Sequence, residues 1–445
     1  MVRSVTRLAM ALQTLFTAGA DELAQVTNLV QRKRALSGSA WVQTLVFGWA
    51  ERPTASVEDL TDVAAALGVS ISTQGLDAWF CPAGADCLQR LTQQAIGTLV
   101  QTTPAALPLL QRFQGVYVED CTSLALPAAL AATYPGSGGP DAAGLEPAAL
   151  KAFVRLELQQ GNVTELSFQP GRQPDVQAGQ QATALPAGAL RLKDLGFFDT
   201  AMLARDTDNG VHWISRLPTG VYVQVAQAPA QEIAQWLRQQ TDNVVDGTAV
   251  VGQEQSLSCR LLAVRCPDAV RDRRVHKLEA KARKKGRSAS ERQRVMCGWQ
   301  VFITDLGAEQ LTVDEAWVLY RARWQIELLF KLWKSHGRLD HSRGERSDRV
   351  LCELWAKLLA LLVKHWLVLL AGPWLDGKAA LTKMRRLKRL LLDVAAALHE
   401  LTALEAILTR VRAKLAYVRA RARRTKQPST VDLLKNPRQA ELLLN

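Results

Sequence analysis

The sequence predicts an α/β protein in which a mixed sheet fills the middle of the chain and helices fill both ends. Short β-type runs separated by turn signals occupy residues 114 to 304, whereas residues 1 to about 100 and everything from Val313 onward read as helix. A strand at Gly115–Glu119, a hairpin pair joined by Gln160-Gly161-Asn162, and a further strand at Ala189–Leu192 fit a sheet of mixed pairing. The chain is 445 residues long, too long for one ordinary core, so smaller modules flanking a central domain are expected.

Composition narrows the class. Hydrophobic residues make up 48% and charged residues 22%, which suits a soluble globular protein and excludes a largely disordered one. The net charge of +13 favours a polyanionic partner, because lysines and arginines release counterions from phosphates. DNA or RNA leads and an anionic membrane surface trails. Much of the excess is local, since residues 271–294 hold eleven Lys/Arg against three Asp/Glu, a balance of +8. The seven cysteines form an odd set with no CxxC pair, which argues against a disulfide framework or a zinc finger and for reduced thiols. Met1 to Phe16 is amphipathic with no cleavage site after an apolar core, so the expected location is the cytoplasm, with no membrane partner. The most membrane-like stretch, Leu351 to Leu375, is interrupted by Glu353, Lys357, Lys364 and His365 and reads as a buried core helix.

In chain order, Ser56 with Asp59 resembles a capping box, the helix from Leu60 to Leu67 closes at Gly68, and a second short helix spans Ser72 to Phe80. A helix-turn-helix and a plain helical hairpin fit this equally. Gly, Pro, Ala and Gln between Gly136 and Gln181 predict long loops. Beyond them, Val211–Ser215, Val221–Val225, Arg260–Val264 and Gly298–Thr304 continue the β signal around the basic segment, which reads as a flexible loop and, compatibly with that, as a tracker of phosphate backbone. The basic runs Lys383–Arg389 and Arg419–Lys426 are solvated helix faces or contacts to phosphate or a second subunit.

The most informative segment runs from Tyr320 to Lys334. On one continuous helix Tyr320, Arg323, Glu327 and Lys334 fall within a sector of roughly 60°. Trp317, Trp324, Ile326, Leu328, Leu329, Leu332 and Trp333 cover the other directions. A helix apolar on most sides should be buried, and burying Arg, Glu and Lys together is costly unless a ligand needs them all. A carboxylate for metal and cations for phosphate suit a nucleic-acid cleavage site. A surface helix with an Arg323–Glu327 pair fits the residues equally well.

The pattern Tyr-x2-Arg-x3-Glu-x6-Lys resembles the hallmark of a group of bacterial insertion-sequence transposases, which carry the last carboxylate of an Asp-Asp-Glu triad on this helix. All four positions match; with each residue type at roughly one in twenty, a chance match is on the order of 10⁻⁵ per start position. Asp120 follows the apolar run Val116-Tyr117-Val118 in Glu-Asp-Cys-Thr, similar to the family's Asp-Gly-Thr or Asp-Ser-Thr, with Cys121 a departure. Asp194 ends Ala189-Leu-Arg-Leu-Lys-Asp-Leu-Gly-Phe, similar to the family's second-aspartate motif, where Gly196 lets the chain turn into the next helix. Glu119 and Asp199 compete with them as surface or helix-capping carboxylates.

The resemblance implies a ribonuclease H-like catalytic core whose β-rich insertion occupies the 133-residue gap between Asp194 and Glu327. It divides the chain into a helical DNA-binding region (1–105), the first part of the core (106–225), the insertion (226–305), core helices carrying Glu327 (306–375) and a basic helical region (376–445). It further implies Asp120, Asp194 and Glu327 as catalytic carboxylates for two Mg²⁺ ions, with Mn²⁺ as substitute. Tyr320, Arg323, Lys334 and Arg216 would grip phosphate, and Trp299 would stack a base flipped from the duplex. The implied partners are double-stranded DNA at element ends and target, and a second copy of the chain, on the nucleoid. A nuclease without strand transfer and an inactive DNA-binding inhibitor remain alternatives.

Overall fold

The computed structural model describes residues 2–32, 36–97, 107–141, 143–253, 256–375, 377–387, 390–418 and 428–440. The predicted basic run Arg419–Lys426 lies outside them. The chain forms two compact units, one of Met1–Ala105, Cys121–Gln173 and Gln325–Arg423, the other of Ala106–Asp120, Pro174–Trp324 and Arg424–Asn445.

Ten strands are present among the described residues: β1 (Val116–Leu126), β2 (Ala148–Glu157), β3 (Val163–Pro170), β4 (Leu190–Lys193), β5 (His212–Arg216), β6 (Tyr222–Val225), β7 (Gln231–Glu232), β8 (Val244–Val251), β9 (Leu257–Arg265) and β10 (Trp299–Thr304). In the second unit the order is β1-β4-β5-β10-β9-β8-β6-β7. The first two pairings are parallel and the rest antiparallel, so the mixed sheet expected from sequence is present. One register row runs through Val118, Leu192 and Ile214. Because side chains alternate, the positions two residues further along each strand direction, Asp120 within β1, Asp194 just past β4 and Arg216 at the end of β5, share a face. The intervening positions Glu119, Lys193 and Ser215 are fully buried on the other face.

The sequence reading lacks β7 and β8. Gln231–Glu232 is too short to carry a pattern, and Val244-Val-Asp-Gly-Thr-Ala-Val-Val251 mixes polar and small residues that find their place only beside β9. The flexible-loop reading of the basic segment is overturned. Residues Asp268–Arg283 and Glu291–Cys297 are helices, the second opened by a complete Ser290/Gln293 capping box. These elements surround a core that includes Trp213, Trp236, Trp299, Leu261 and Ile303.

The first unit centres on the helix Ser347–Leu370, nearly all of it buried. Helices Gly38–Glu51 and Pro82–Ile96 pack against it. The Ser56/Asp59 capping box is complete, and its helix ends before Gly68 at φ +83°. No helix among the described residues is long and apolar enough to cross a membrane. The polar side chains of the central helix find partners: Lys357 pairs with Glu353 at 2.6 Å and Lys364 donates to the Ala50 carbonyl.

In the same unit, β2 and β3 form the predicted hairpin, closed by Gly161 at φ +82°. Any other residue there would put its Cβ 2.3 Å from that of Trp374. The Gly161 carbonyl accepts 2.6 Å from His365 Nε2, and burial pulls the His365 imidazole down to about 4. The unfolded imidazole titrates near 6.5, so between those values the unfolded chain binds the extra proton. This contribution to stability is therefore complete above about pH 6.5 and lost as pH falls toward 4. Thermal melts of wild type and His365→Gln should diverge in slope across that window, with the variant flatter; parallel slopes would remove His365 as the titrating group.

Candidate active site

The second unit brings two of the predicted carboxylates together. Asp120 lies within β1 and Asp194 directly follows β4, where its carbonyl accepts from Phe197 and opens the short 3₁₀ turn Leu195–Phe197. The helix Val313–Ala322, capped by a Thr312/Glu315 box, carries Tyr320 across β10. There the Tyr320 ring packs 4.7 Å from that of Phe302, and Trp317 Nε1 donates to Gln300 Oε1 at 2.7 Å.

Arg323 and Tyr320 then meet the aspartates. One guanidinium nitrogen of Arg323 lies 3.4 Å from Asp120 Oδ2 and 3.8 Å from Asp194 Oδ2, and the Tyr320 hydroxyl donates to Asp194 Oδ1 at 3.0 Å. Burial, followed by the adjacent Asp194 carboxylate, pushes the Tyr320 phenol above its ordinary range, so it stays a proton donor at neutral pH. The charges of Arg323 and Arg216 partly offset that rise, which sets Arg216, half-buried at the end of β5, in the same electrostatic neighbourhood.

The helix read as continuous from Tyr320 to Lys334 is in fact two, Val313–Ala322 and Trp324–Gly337. The Arg323 amide bonds to the Tyr320 carbonyl, three residues back, and this tighter closure ends the first helix. Tyr320 and Arg323 thereby belong to the second unit, and Glu327 and Lys334 to the first. Glu327 and Lys334 are both half-buried on a helix otherwise largely enclosed, as the apolar surroundings predict. Trp324 departs from that expectation, being 55% exposed.

The competing carboxylates have structural tasks. Asp199 caps the helix Thr200–Asp208 by accepting from the Met202 amide at 3.1 Å and also accepts from Gln180 at 2.7 Å. Glu119 is fully buried, 3.8 Å from Arg191. Gly196 lies in the 3₁₀ turn Leu195–Phe197 but outside the left-handed region, and a Cβ there would sit 3.0 Å from Asp175 Oδ2, the movable end of a side chain.

Trp299 starts β10 as expected but is only 4% exposed, with the Arg265 guanidinium 4.3 Å from its ring centroid. Arg265 also donates to the Gln240 carbonyl at 2.7 Å. Cation–π stacking is invisible to a linear pattern, which is why sequence reading misses Arg265.

The donor set suits a hard cation. Asp120 and Asp194 supply only carboxylate oxygen, the donor that a hard divalent ion takes. Among the described residues no three His, Cys, Asp or Glu side chains group closely enough to hold an ion. The aspartates are therefore a pair, bridged by a guanidinium.

Comparison with known proteins accords with this arrangement. The model of the family described as Transposase DDE domain matches residues 120–363, beginning at Asp120 itself. The chain is 29% identical to the transposase for insertion sequence element IS231F of Bacillus thuringiensis subsp. israelensis, over 77% of this chain and 75% of that one. It is 26% identical to the IS231B transposase of Bacillus thuringiensis subsp. berliner over the same shares, and 22% identical to the IS1151 transposase of Clostridium perfringens over 78% and 77%.

If Arg323 is the counterion of both aspartates, Arg323→Ala should lower the melting temperature of metal-free protein by roughly 2–6 °C. Millimolar Mg²⁺ should recover most of that loss. A deficit unchanged by Mg²⁺ would show that the guanidinium balances no carboxylate charge.

Proposed function

We propose, for a chain that belongs to the transposase DDE domain family, that Asp120, Asp194 and Glu327 are its three catalytic carboxylates and hold two Mg²⁺ ions, for which Mn²⁺ substitutes. The chain is a DNA transposase of the bacterial insertion-sequence type, with a ribonuclease H-like fold and a requirement for divalent metal. The observation that carries the residue assignment is the shared sheet face of Asp120 and Asp194, both within 4 Å of one Arg323 nitrogen. Glu327 is supported by its place four residues after Arg323 in a complete Tyr-x2-Arg-x3-Glu-x6-Lys pattern.

The reaction proposed is cleavage at the element ends followed by joining of the freed 3′-hydroxyls to target DNA. Asp120, Asp194 and Glu327 would hold the ions, which when bound would activate the attacking oxygen and stabilise the leaving one. The chain's own residues supply positioning and charge. Tyr320 holds Asp194 in one orientation through its hydroxyl, and the same group can turn to a phosphate oxygen. Arg323, Lys334 and Arg216 neutralise phosphate next to the scissile bond, where charge stabilisation governs the rate. Trp299 stacks a base flipped from the duplex once Arg265 gives up the face it covers. Residues 1–105 bind element ends, and two copies of the chain act together on two ends at the nucleoid.

Asp120→Ala, Asp194→Ala and Glu327→Ala should each abolish cleavage of an end-bearing duplex, by at least about 10³-fold, while end binding in a gel shift persists. Full cleavage by any one variant would reject that residue as a ligand. Wild type given pre-cut ends should join them to a second duplex; hydrolysis without joining would replace the strand-transfer reading by that of a nuclease. Trp299→Leu should slow cleavage of the second strand more than first-strand nicking, and equal slowing of both steps would count against a stacking role.

A further inference from the structure

The helix Asp268–Arg283 has no buried residue, an unusual state for 16 residues of regular structure. Its inner side is half-covered at Val270, Arg274, Leu278 and Ala282. Arg274 anchors it, donating to Cys266 Sγ at 3.0 Å and to the carbonyls of Cys297 at 3.5 Å and Trp299 at 3.4 Å. The adjacent helix Glu291–Cys297 packs beside it. The element is thus attached at one end to the start of β10.

Along one flank of that inner side, exposed to solvent, runs a line of positive charge. Arg273, Lys277, Lys281 and Lys284 follow one another at intervals of four, four and three residues, and all four are exposed. At 100° per residue they span a sector of roughly 80° and are about 5–6 Å apart along the surface. None of the four has an ion-pair partner among the described residues. The neighbouring cations that do, Arg271 with Asp268 and Asp272, and Arg294 with Glu279, lie off the line. Like charges at i,i+4 destabilise a helix, so the element carries a repulsion that no ion pair among the described residues offsets. A regular row of phosphates, spaced about 6–7 Å along a nucleic-acid strand, would offset it and release counterions.

We propose that the Arg273–Lys277–Lys281–Lys284 face binds the phosphate backbone of duplex DNA without reading its sequence. This rests on the reading of the chain as a DNA-cutting enzyme and adds where the duplex runs. Phe302, which packs on Tyr320, is three residues along β10 from Trp299, or about 10 Å at strand rise. The basic face therefore lies beyond the active-site strand edge at the Trp299 end, and takes phosphates within about one duplex turn of the scissile bond. Three lysines and one arginine in a row, with no side-chain amide among them, suit the base-independent phosphates rather than base edges.

The experiment is equilibrium binding of the full chain to two duplexes of equal length, one bearing an element end and one of scrambled sequence, between 50 and 200 mM salt. Lys277→Gln/Lys281→Gln should weaken binding to both duplexes alike, by about 10-fold or more at the lower salt, and reduce the slope of log K against log salt by about 2. Lys277→Arg/Lys281→Arg should bind like wild type. The Gln pair should melt no lower than wild type, because both lysines are exposed and their mutual repulsion is removed. An unchanged slope in the Gln pair would overturn the assignment, as would a loss confined to the end-bearing duplex. Failure of wild type to bind either duplex would instead defeat the underlying reading of the enzyme.

Discussion

The parallel register of β1, β4 and β5 is the constraint on which the rest of the second unit depends. Val118, Leu192 and Ile214 occupy one row, so the chain delivers Asp120, Asp194 and Arg216 to one face of the sheet with no further device. A slip of one residue in any of these strands would exchange a site residue for its neighbour on the other face. Those neighbours, Glu119, Lys193 and Ser215, are completely buried, and this makes the slip expensive. Register and burial therefore enforce each other. The acid that faces outward can engage Arg323 because the acid beside it is committed inward.

That inward face bears a small buried charge cluster. Arg191 lies 3.8 Å from Glu119 and 3.5 Å from Asp206, and Lys193 lies 3.9 Å from Asp206. Burial is the main reason that the Lys193 ammonium is pulled down to about 8, with Arg191 adding to it and the acids opposing it. Such clusters contribute little net stability, since desolvation consumes most of their attraction. What they confer here is geometry, tying β1, β4 and the helix Thr200–Asp208 together directly behind the aspartates.

The elements legible in the sequence are those whose signal is local. The Ser56/Asp59 box, Gly68, the Gln160-Gly161-Asn162 hairpin and the apolar strand runs each act through contacts with near neighbours, and each appears at its expected place, although β1, β2 and β9 extend well beyond the predicted runs. The elements that escaped have no local signal. β8 becomes a strand because β9 offers it partners, the basic segment is helical because Arg274 and the helix Glu291–Cys297 hold one side of it, and Arg265 covers Trp299 from another strand. The single helix expected through Arg323 fails for a similar reason: side-chain periodicity is continuous there, and only backbone hydrogen bonding records the break.

The sequence by itself determined the family and singled out Asp120, Asp194, Tyr320 and Arg323, which the fold brings together. The order of residue types around Tyr320, Arg323, Glu327 and Lys334, and the strand-end positions of Asp120 and Asp194, are linear properties. Tertiary structure alone decided which of two nearby acids faces Arg323. Glu119 and Asp120, or Asp194 and Asp199, differ little as local sequence, yet pairing places one of each set against Arg323 and commits the other to a buried ion pair or a helix cap. The physical reason is that a carboxylate's role is set by which charges and donors converge on it, and convergence is a property of strand register and helix packing, not of sequence neighbours.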